Sequence, residues 1–358
     1  MKVNYSFSEA IRMALRDSML EDETVRVFGL GVPDPKGVFG TTTGLNEEFG
    51  ANRVFDIPLS ENAVTGVALG MAMNGLRPVM NHQRADFAFT SMEQIVNQVA
   101  KLDYTTNGVF KAQLVIRMIV GRGWGQGPTH AQSPHALYAA IPGLRVVAPA
   151  TPEDAYWLLR QSITINDPVV FIEHRWLHHI TSEIDLQKPD YGIADSRTLS
   201  QGEDLLFISF SYGIVEALRA ESLLRTLGVH ATVLNLRSLS PLDERRILDL
   251  AREIRRVVVL DTSHSKYGVS AEISAMLSEK LDKPLEKNCL RIGSNYEPTP
   301  SAPLLAKNHY PQIREILTTV INHFQFKLDN EKLEELIKSE EGSNIYFDQP
   351  IIGTVGPF

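Results

Sequence analysis

The chain has a single cysteine, Cys289, in 358 residues. No disulfide can form within it, and its place at the start of an apolar strand points to a buried, inert thiol. No apolar run reaches the ~20 residues that a membrane-spanning helix requires. The opening Met1-Lys2-Val3-Asn4-Tyr5-Ser6 lacks the apolar core of a secretory signal. Basic residues are in the minority, 35 against 43 acidic, for a net charge of −8, so the footprint of a nucleic-acid binder is absent. Short repeats, low-complexity tracts and the triplet Gly-Asp-Gly are also missing. These absences point to a soluble, cytoplasmic protein with no nucleic-acid and no membrane partner. What is present is an ordinary globular composition, in a chain long enough for two domains.

Capping signals and apolar runs place the elements. Ser6-x-x-Glu9 opens a helix through about Leu20, and Val25–Phe28 follows as a strand. Further strands are expected at Pro78–Asn81, Leu114–Val120, Arg145–Ala148 and Val169–Glu173. Thr90-x-x-Glu93 reads as the cap of a helix to about Leu102, and Thr151-Pro152 as the start of another. The stretch 175–203 shows no clear periodicity. Beyond it, strands near Leu205–Ser209, Ala231–Asn235, Val257–Leu260 and Cys289–Ile292 alternate with helices near 212–226, 243–254 and 269–281. Such alternation implies parallel sheets covered on both faces. The fold class is α/β: two three-layer α/β/α domains with mainly parallel sheets, 1–174 and 204–325. A linker, 175–203, joins them, and a tail, 326–358, follows. The tail combines an amphipathic helix, Asp329–Ser339, with an irregular apolar extension, 344–358, expected to pack on this chain or a partner.

The stretch from Phe55 to Met71 holds the most chemical information. A short strand and a turn at Pro58 and Ser60 deliver one carboxylate, Glu61, to the start of a helix. From Ala63 onward that helix carries no charge until Arg77, so it belongs in a core or an interface. Taken alone, Glu61 reads equally as a residue favoured by the helix macrodipole.

Phe49-Gly50, Arg53-Val54, Asp56, Pro58-Leu59, Glu61, Gly66, Gly70, Gly75 and Arg77-Pro78 match, in order, a run in a known family. The chain resembles the beta subunits of the thiamine-diphosphate-dependent 2-oxo acid dehydrogenases, the decarboxylase component of pyruvate and branched-chain complexes. Weaker motifs extend the resemblance to about residue 320. It implies a transketolase-like pair of domains, one binding the cofactor's pyrimidine and one C-terminal. It also implies that Glu61 hydrogen-bonds the aminopyrimidine and activates the cofactor, a task suited to a poorly solvated carboxyl.

Gln83-Arg84-Ala85-Asp86-Phe87-Ala88-Phe89 resembles the family's next segment, which implies cofactor contacts for Gln83 and stacking of Phe87 on the pyrimidine. In the glycine-rich loop 121–135, His130 matches a histidine that faces the thiazolium and the substrate, where it would assist proton transfers. Ala131 replaces the usual serine, and His135 receives no role. Arg84 stands where the family has an apolar residue, and would bind an acidic substrate group or pair with Asp86. After the first strand the segment Leu30–Leu45 lacks the family's glutamate and is shorter, which leaves the substrate and communication between active sites open. In the second domain, Gly213 and Gly268-Val269-Ser270-Ala271-Glu272 resemble the family's C-terminal segment, whereas His264 and Lys266 read as surface residues.

The missing Gly-Asp-Gly implies that Mg²⁺ and the diphosphate are held by a separate alpha subunit carrying that motif, in an α2β2 heterotetramer, with no metal ligand on this chain. A potassium site of the family's type, within 110–168, would be built from backbone carbonyls. The acceptor would be a lipoyl-bearing acyltransferase or another carrier, and the substrate a small 2-oxo acid. Two rivals stand beside this reading. One is the second half of a split transketolase, a deoxyxylulose-phosphate-synthase-type enzyme or a specialised carboligase. The other is a non-catalytic regulatory subunit that kept the fold.

Overall fold

A computed structural model describes residues 2–121, 126–187 and 189–343. Among these, fourteen strands form three sheets. The first sheet contains β2 (Val25–Gly29), β3 (Val54–Phe55), β4 (Arg77–His82), β5 (Val115–Val120), β6 (Arg145–Val147) and β7 (Val169–His174). Its order is β12-β6-β7-β5-β4-β2-β3, and every pair but one is parallel. The exception, β12 (Ser238–Ser240), returns from far along the chain to lie antiparallel on β6. The second sheet, in the order β14-β13-β10-β11-β9, combines β9 (Arg197–Ser200), β10 (Leu205–Ser209), β11 (Ala231–Asn235), β13 (Val257–His264) and β14 (Leu290–Ser294). A small antiparallel pair joins β1 (Lys2–Ser6) to β8 (Thr181–Asp185).

Residue choice explains most of this. The runs of β5, β7, β10 and β11 are buried along their whole length, as central parallel strands with both faces covered must be. The helix Phe7–Glu21 begins with the expected capping box, Ser6 with Glu9. The helix Pro152–Thr164 begins with another, Thr151 with Asp154, and proline in its first turn. These two helices pack on one face of the first sheet around Phe7, Ile11, Leu15, Tyr156 and Leu158. On the other face a single apolar core runs on into the second sheet. It links Ile116, Met118 and Val170 with Leu206, Ile208, Leu234 and Val259.

Three expectations need correcting. The stretch 175–203, read as lacking strand signal, holds β8 and β9. Both are short edge strands whose partners, β1 and β11, lie far away in sequence, so local periodicity cannot reveal them. Thr90-x-x-Glu93 does not form a cap. The Thr90 hydroxyl donates back to the Phe87 carbonyl at 2.8 Å, and Glu93 takes the amides of Gln94 and Gln98. The segment then winds as a 3₁₀ turn, Phe89–Ser91, and a π-helical stretch, Gln94–Val99. Finally, His264 is half-buried and its Nδ1 lies 3.1 Å from Ser294 Oγ, so it is not simply a surface residue.

The tail helix runs over Asn330–Ser343 and buries Leu333 and Ile337 beside Leu317 and Val320. The apolar extension 344–358 lies outside the described residues. Cys289 is partly buried, and burial pushes its thiol up to about 12. No described helix is long and apolar enough to cross a membrane.

Candidate functional site

In open α/β sheets, ligands gather beyond the carboxyl ends of the strands. The end of β4 in this chain is unusually polar. Asn81 and His82 are buried there, and neither side-chain atom of Asn81 finds a partner. Burial lowers the His82 imidazole to about 4, so it is neutral at ordinary pH.

The next residue, Gln83, donates its amide to the Leu30 carbonyl at 3.0 Å. Asp56 holds the same loop from the other side, accepting from Gly31 N at 3.0 Å and Ile57 N at 2.8 Å. The two side chains together fix the turn that follows β2. The contact the structure gives Gln83 is thus a structural one.

Glu61 is the first residue of the helix Glu61–Met73. It is half-buried, and its carboxylate makes no hydrogen bond or ion pair among the described residues. The helix packs against β4 and against the turns that follow Phe87. Val64, Thr65, Ala68, Leu69 and Ala72 form its buried side. Its other side is apolar and bare: Ala63 is exposed, Val67 is 59 % exposed and nearby Leu59 75 %.

Phe87 and His130, 43 positions apart in sequence, meet edge to face with ring centroids 5.3 Å apart. One tie holds them. The Gln132 amide donates to Asp86 Oδ1 at 2.8 Å, joining the Phe87 segment to the His130 loop. The other Asp86 oxygen is buried without a partner, as is the Tyr138 hydroxyl. Burial, with a contribution from the Asp86 charge, pushes the Tyr138 phenol above its ordinary range. His130 is exposed, with Nδ1 3.0 Å from the Thr129 hydroxyl. Behind the loop lies a cavity of about 540 Å³, where Gln132 and Ser133 face His264, Ser294 and His309 of the second sheet unit. Residues 122–125 of the loop lie outside the described set.

Arg84 is 5 % exposed and, contrary to one expectation, forms no ion pair with Asp86. Its guanidinium lies 5.6 Å from the centre of the Phe39 ring, and that of Arg175 lies 4.6 Å from the same ring. Burial and the neighbouring Arg175 charge lower Arg84 to about 10.

Beside them, Arg117 places Nη2 2.6 Å and Nε 3.1 Å from Glu173 Oε1, and His178 Nε2 lies 3.2 Å from the other oxygen. All three side chains are fully enclosed. Burial would raise the Glu173 carboxyl, but the Arg117 charge and His178 hold it below the usual range.

The structure therefore brings Phe87 and His130 into contact and sets Gln83 and Arg84 on the same turn as Phe87. Glu61 starts the helix packed behind that turn. Sequence reasoning missed Phe39, Asp86, Gln132 and Arg175 as members of the site. Three of them lay inside stretches already singled out, but pairing across the sheet leaves no local mark.

Two family models match the chain: "Transketolase, pyrimidine binding domain" over residues 4–179 and "Transketolase, C-terminal domain" over 194–316. A pyruvate dehydrogenase E1 component subunit beta from Leifsonia xyli subsp. xyli is 35 % identical over 83 % of this chain and 88 % of its own length. The 2-oxoisovalerate dehydrogenase subunit beta of Bacillus subtilis is 34 % identical over 84 % of this chain and 93 % of its own. From the same organism, the acetoin:2,6-dichlorophenolindophenol oxidoreductase subunit beta is 32 % identical over 88 % and 96 %. Among solved structures, a split-gene transketolase described as an inactive beta4 tetramer shares the fold. Its TM-score is 0.73 at 21 % identity, over 90 % of this chain and 99 % of that one.

Proposed function

The chain belongs to the beta subunits of the thiamine-diphosphate-dependent 2-oxo acid dehydrogenases, and on that premise we propose that it supplies the pyrimidine side of an active site completed by an alpha subunit. The observation that carries this reading is Glu61, a half-buried carboxylate that heads a helix and has no partner among the described residues. A carboxylate so placed, at the head of a helix packed against the turns that follow Phe87, suits an aminopyrimidine. The diphosphate end finds no such fit: the chain lacks Gly-Asp-Gly. On the family resemblance, Mg²⁺ and the diphosphate fall to the alpha subunit, in an α2β2 assembly, and a potassium ion to backbone carbonyls within 110–168.

When bound, thiamine diphosphate supplies the electron sink for decarboxylation of a 2-oxo acid. The chain's own residues then have separable tasks. Glu61 would share a proton with a pyrimidine nitrogen. Phe87 would stack on the ring, and Gln83 keeps the turn after β2 in place. His130, its Nδ1 engaged by Thr129, moves a proton to or from a substrate oxygen. The acceptor would be a lipoyl-bearing acyltransferase or another carrier.

Calorimetric titration of thiamine diphosphate with Mg²⁺, into the chain alone and into its mixture with the alpha partner, tests the division of labour. Binding is expected only in the mixture. The Glu61→Gln complex is expected to turn over about 100-fold more slowly or worse. Binding to the chain alone would overturn the assignment of the diphosphate to the partner. An assembled complex that binds no cofactor would leave a non-catalytic subunit.

A further inference from the structure

Resting on the reading of Phe87 and His130 as part of the reaction centre, we propose that Arg84 and Arg175, both set against Phe39, bind a second anionic group on the substrate, a carboxylate or a phosphate. Arg84 lies three residues before Phe87. It is 5 % exposed, makes no ion pair and donates no hydrogen bond among the described residues, and its Nη1 is enclosed without a partner. Of the nearby acidic groups, Asp86 accepts from Gln132 through one oxygen and Glu173 accepts from Arg117, and among the described residues neither forms an ion pair with Arg84.

Arg175 brings a second positive charge to the same ring, and it is close enough to lower the Arg84 pKa. Two guanidiniums converging on one aromatic, one of them buried and unpaired, form an arrangement that an anion relieves. Their planar forks suit a carboxylate or phosphate held by parallel hydrogen bonds.

Phe39 adds an independent sign. Its φ is +51°, between Gly37 at +56° and Gly40 at +84°. A bulky side chain rarely adopts that left-handed conformation, and such strain gathers at ligand sites. Phe39 is also the exposed member of the trio, at 38 %. A 2-oxo acid with a distal carboxylate or phosphate would satisfy the pair. One with a plain aliphatic chain would leave the buried Arg84 unpaired, and a site built this way discriminates against it.

The test titrates the full-length chain with inorganic phosphate, with glutarate and with acetate, in the absence of thiamine diphosphate. Failure of the cofactor reading therefore leaves this measurement untouched. Phosphate or glutarate is expected to bind more tightly than acetate, and which of the two wins identifies the anion. Arg84→Gln should weaken that binding by about tenfold or more, Arg84→Lys less so, with circular dichroism confirming that both variants fold. In the assembled complex, Arg84→Gln should lower kcat/KM for 2-oxoglutarate more than for pyruvate. Absence of anion binding to the native chain, or binding unchanged in Arg84→Gln, would overturn the proposal. So would loss of partner association in Arg84→Gln, which would make the arginine a subunit contact.

Discussion

At the scale of single residues, the hydrogen bond between Gln132 and Asp86 matters out of proportion to its size. It is one contact of 2.8 Å, but it joins the two segments that carry Phe87 and His130. Removing it leaves a nine-tenths-buried carboxylate with neither oxygen satisfied, at a cost of about 1–3 kcal/mol. On the proposed role of His130, Gln132→Ala should therefore lower kcat by roughly tenfold while KM moves less, because the imidazole loses its position. Steady-state assays of the assembled enzyme check this, and an equal loss in kcat and in thermal stability across several substrates would indicate general loosening instead. The pairing could not be read from one sequence. Glu61, Phe87 and His130 were singled out because each sits in a motif, whereas Asp86 and Gln132 become partners only when β4 and β5 lie side by side. The same holds for Phe39 and Arg175, which come from opposite ends of the first sheet's sequence.

Among the elements, the helix Glu61–Met73 stands out for its bare side. Ala63 and Val67 face away from its buried stripe, with Leu59 beside them. An exposed apolar strip on a helix of small residues is suited to close approach by another chain. Val67→Asp is expected to leave the isolated chain folded, since Val67 is 59 % exposed. It should abolish assembly with the alpha subunit or weaken it by at least about tenfold, because a charge buried without a partner is costly. Sedimentation velocity of the mixture decides the matter, and normal assembly of the variant would place the interface elsewhere. Element positions were the most readable feature of the sequence, because capping boxes and buried apolar runs are local signals. Thr90 and Glu93 show the limit. The residues of a capping box are present, but a hydroxyl that can reach the carbonyl three residues back takes that bond instead.

For the molecule as a whole, buried ionisable groups set the response to acid. His82 and His135 are held down to about 4 by burial, and burial also lowers His178. All three folded-state values lie below the unfolded value of 6.5. Between pH 6.5 and 4, the unfolded chain takes up protons that the folded chain refuses, and stability present at neutral pH is lost as pH falls. A shift of this size is worth up to about 3 kcal/mol for one histidine. Glu173, held below its ordinary range, extends the loss below pH 4.5. Urea midpoints at pH 7, 5.5 and 4.5 should decline steadily, and a midpoint that holds constant to pH 4.5 would refute this. The alternating α/β plan was legible at this scale too, but not the joints between the two sheet units. Asp154 caps the helix Pro152–Thr164. It also accepts from Arg237 at 2.8 Å and from Asn235 at 2.7 Å, with Asp154 and Arg237 both fully enclosed. Nothing local in either stretch announces that bond.

The return of β12 to the edge of β6 has a consequence for how the chain can be divided. Ser238–Ser240 belongs by sequence to the later half, but it closes a sheet assembled from the earlier one. Any cut near residue 200, where a modular view would place it, strips that strand away and leaves β6 as an open edge for other chains to pair with. The two halves are interlocked rather than beads on a string, so neither would be a dependable cassette for grafting or for expression on its own.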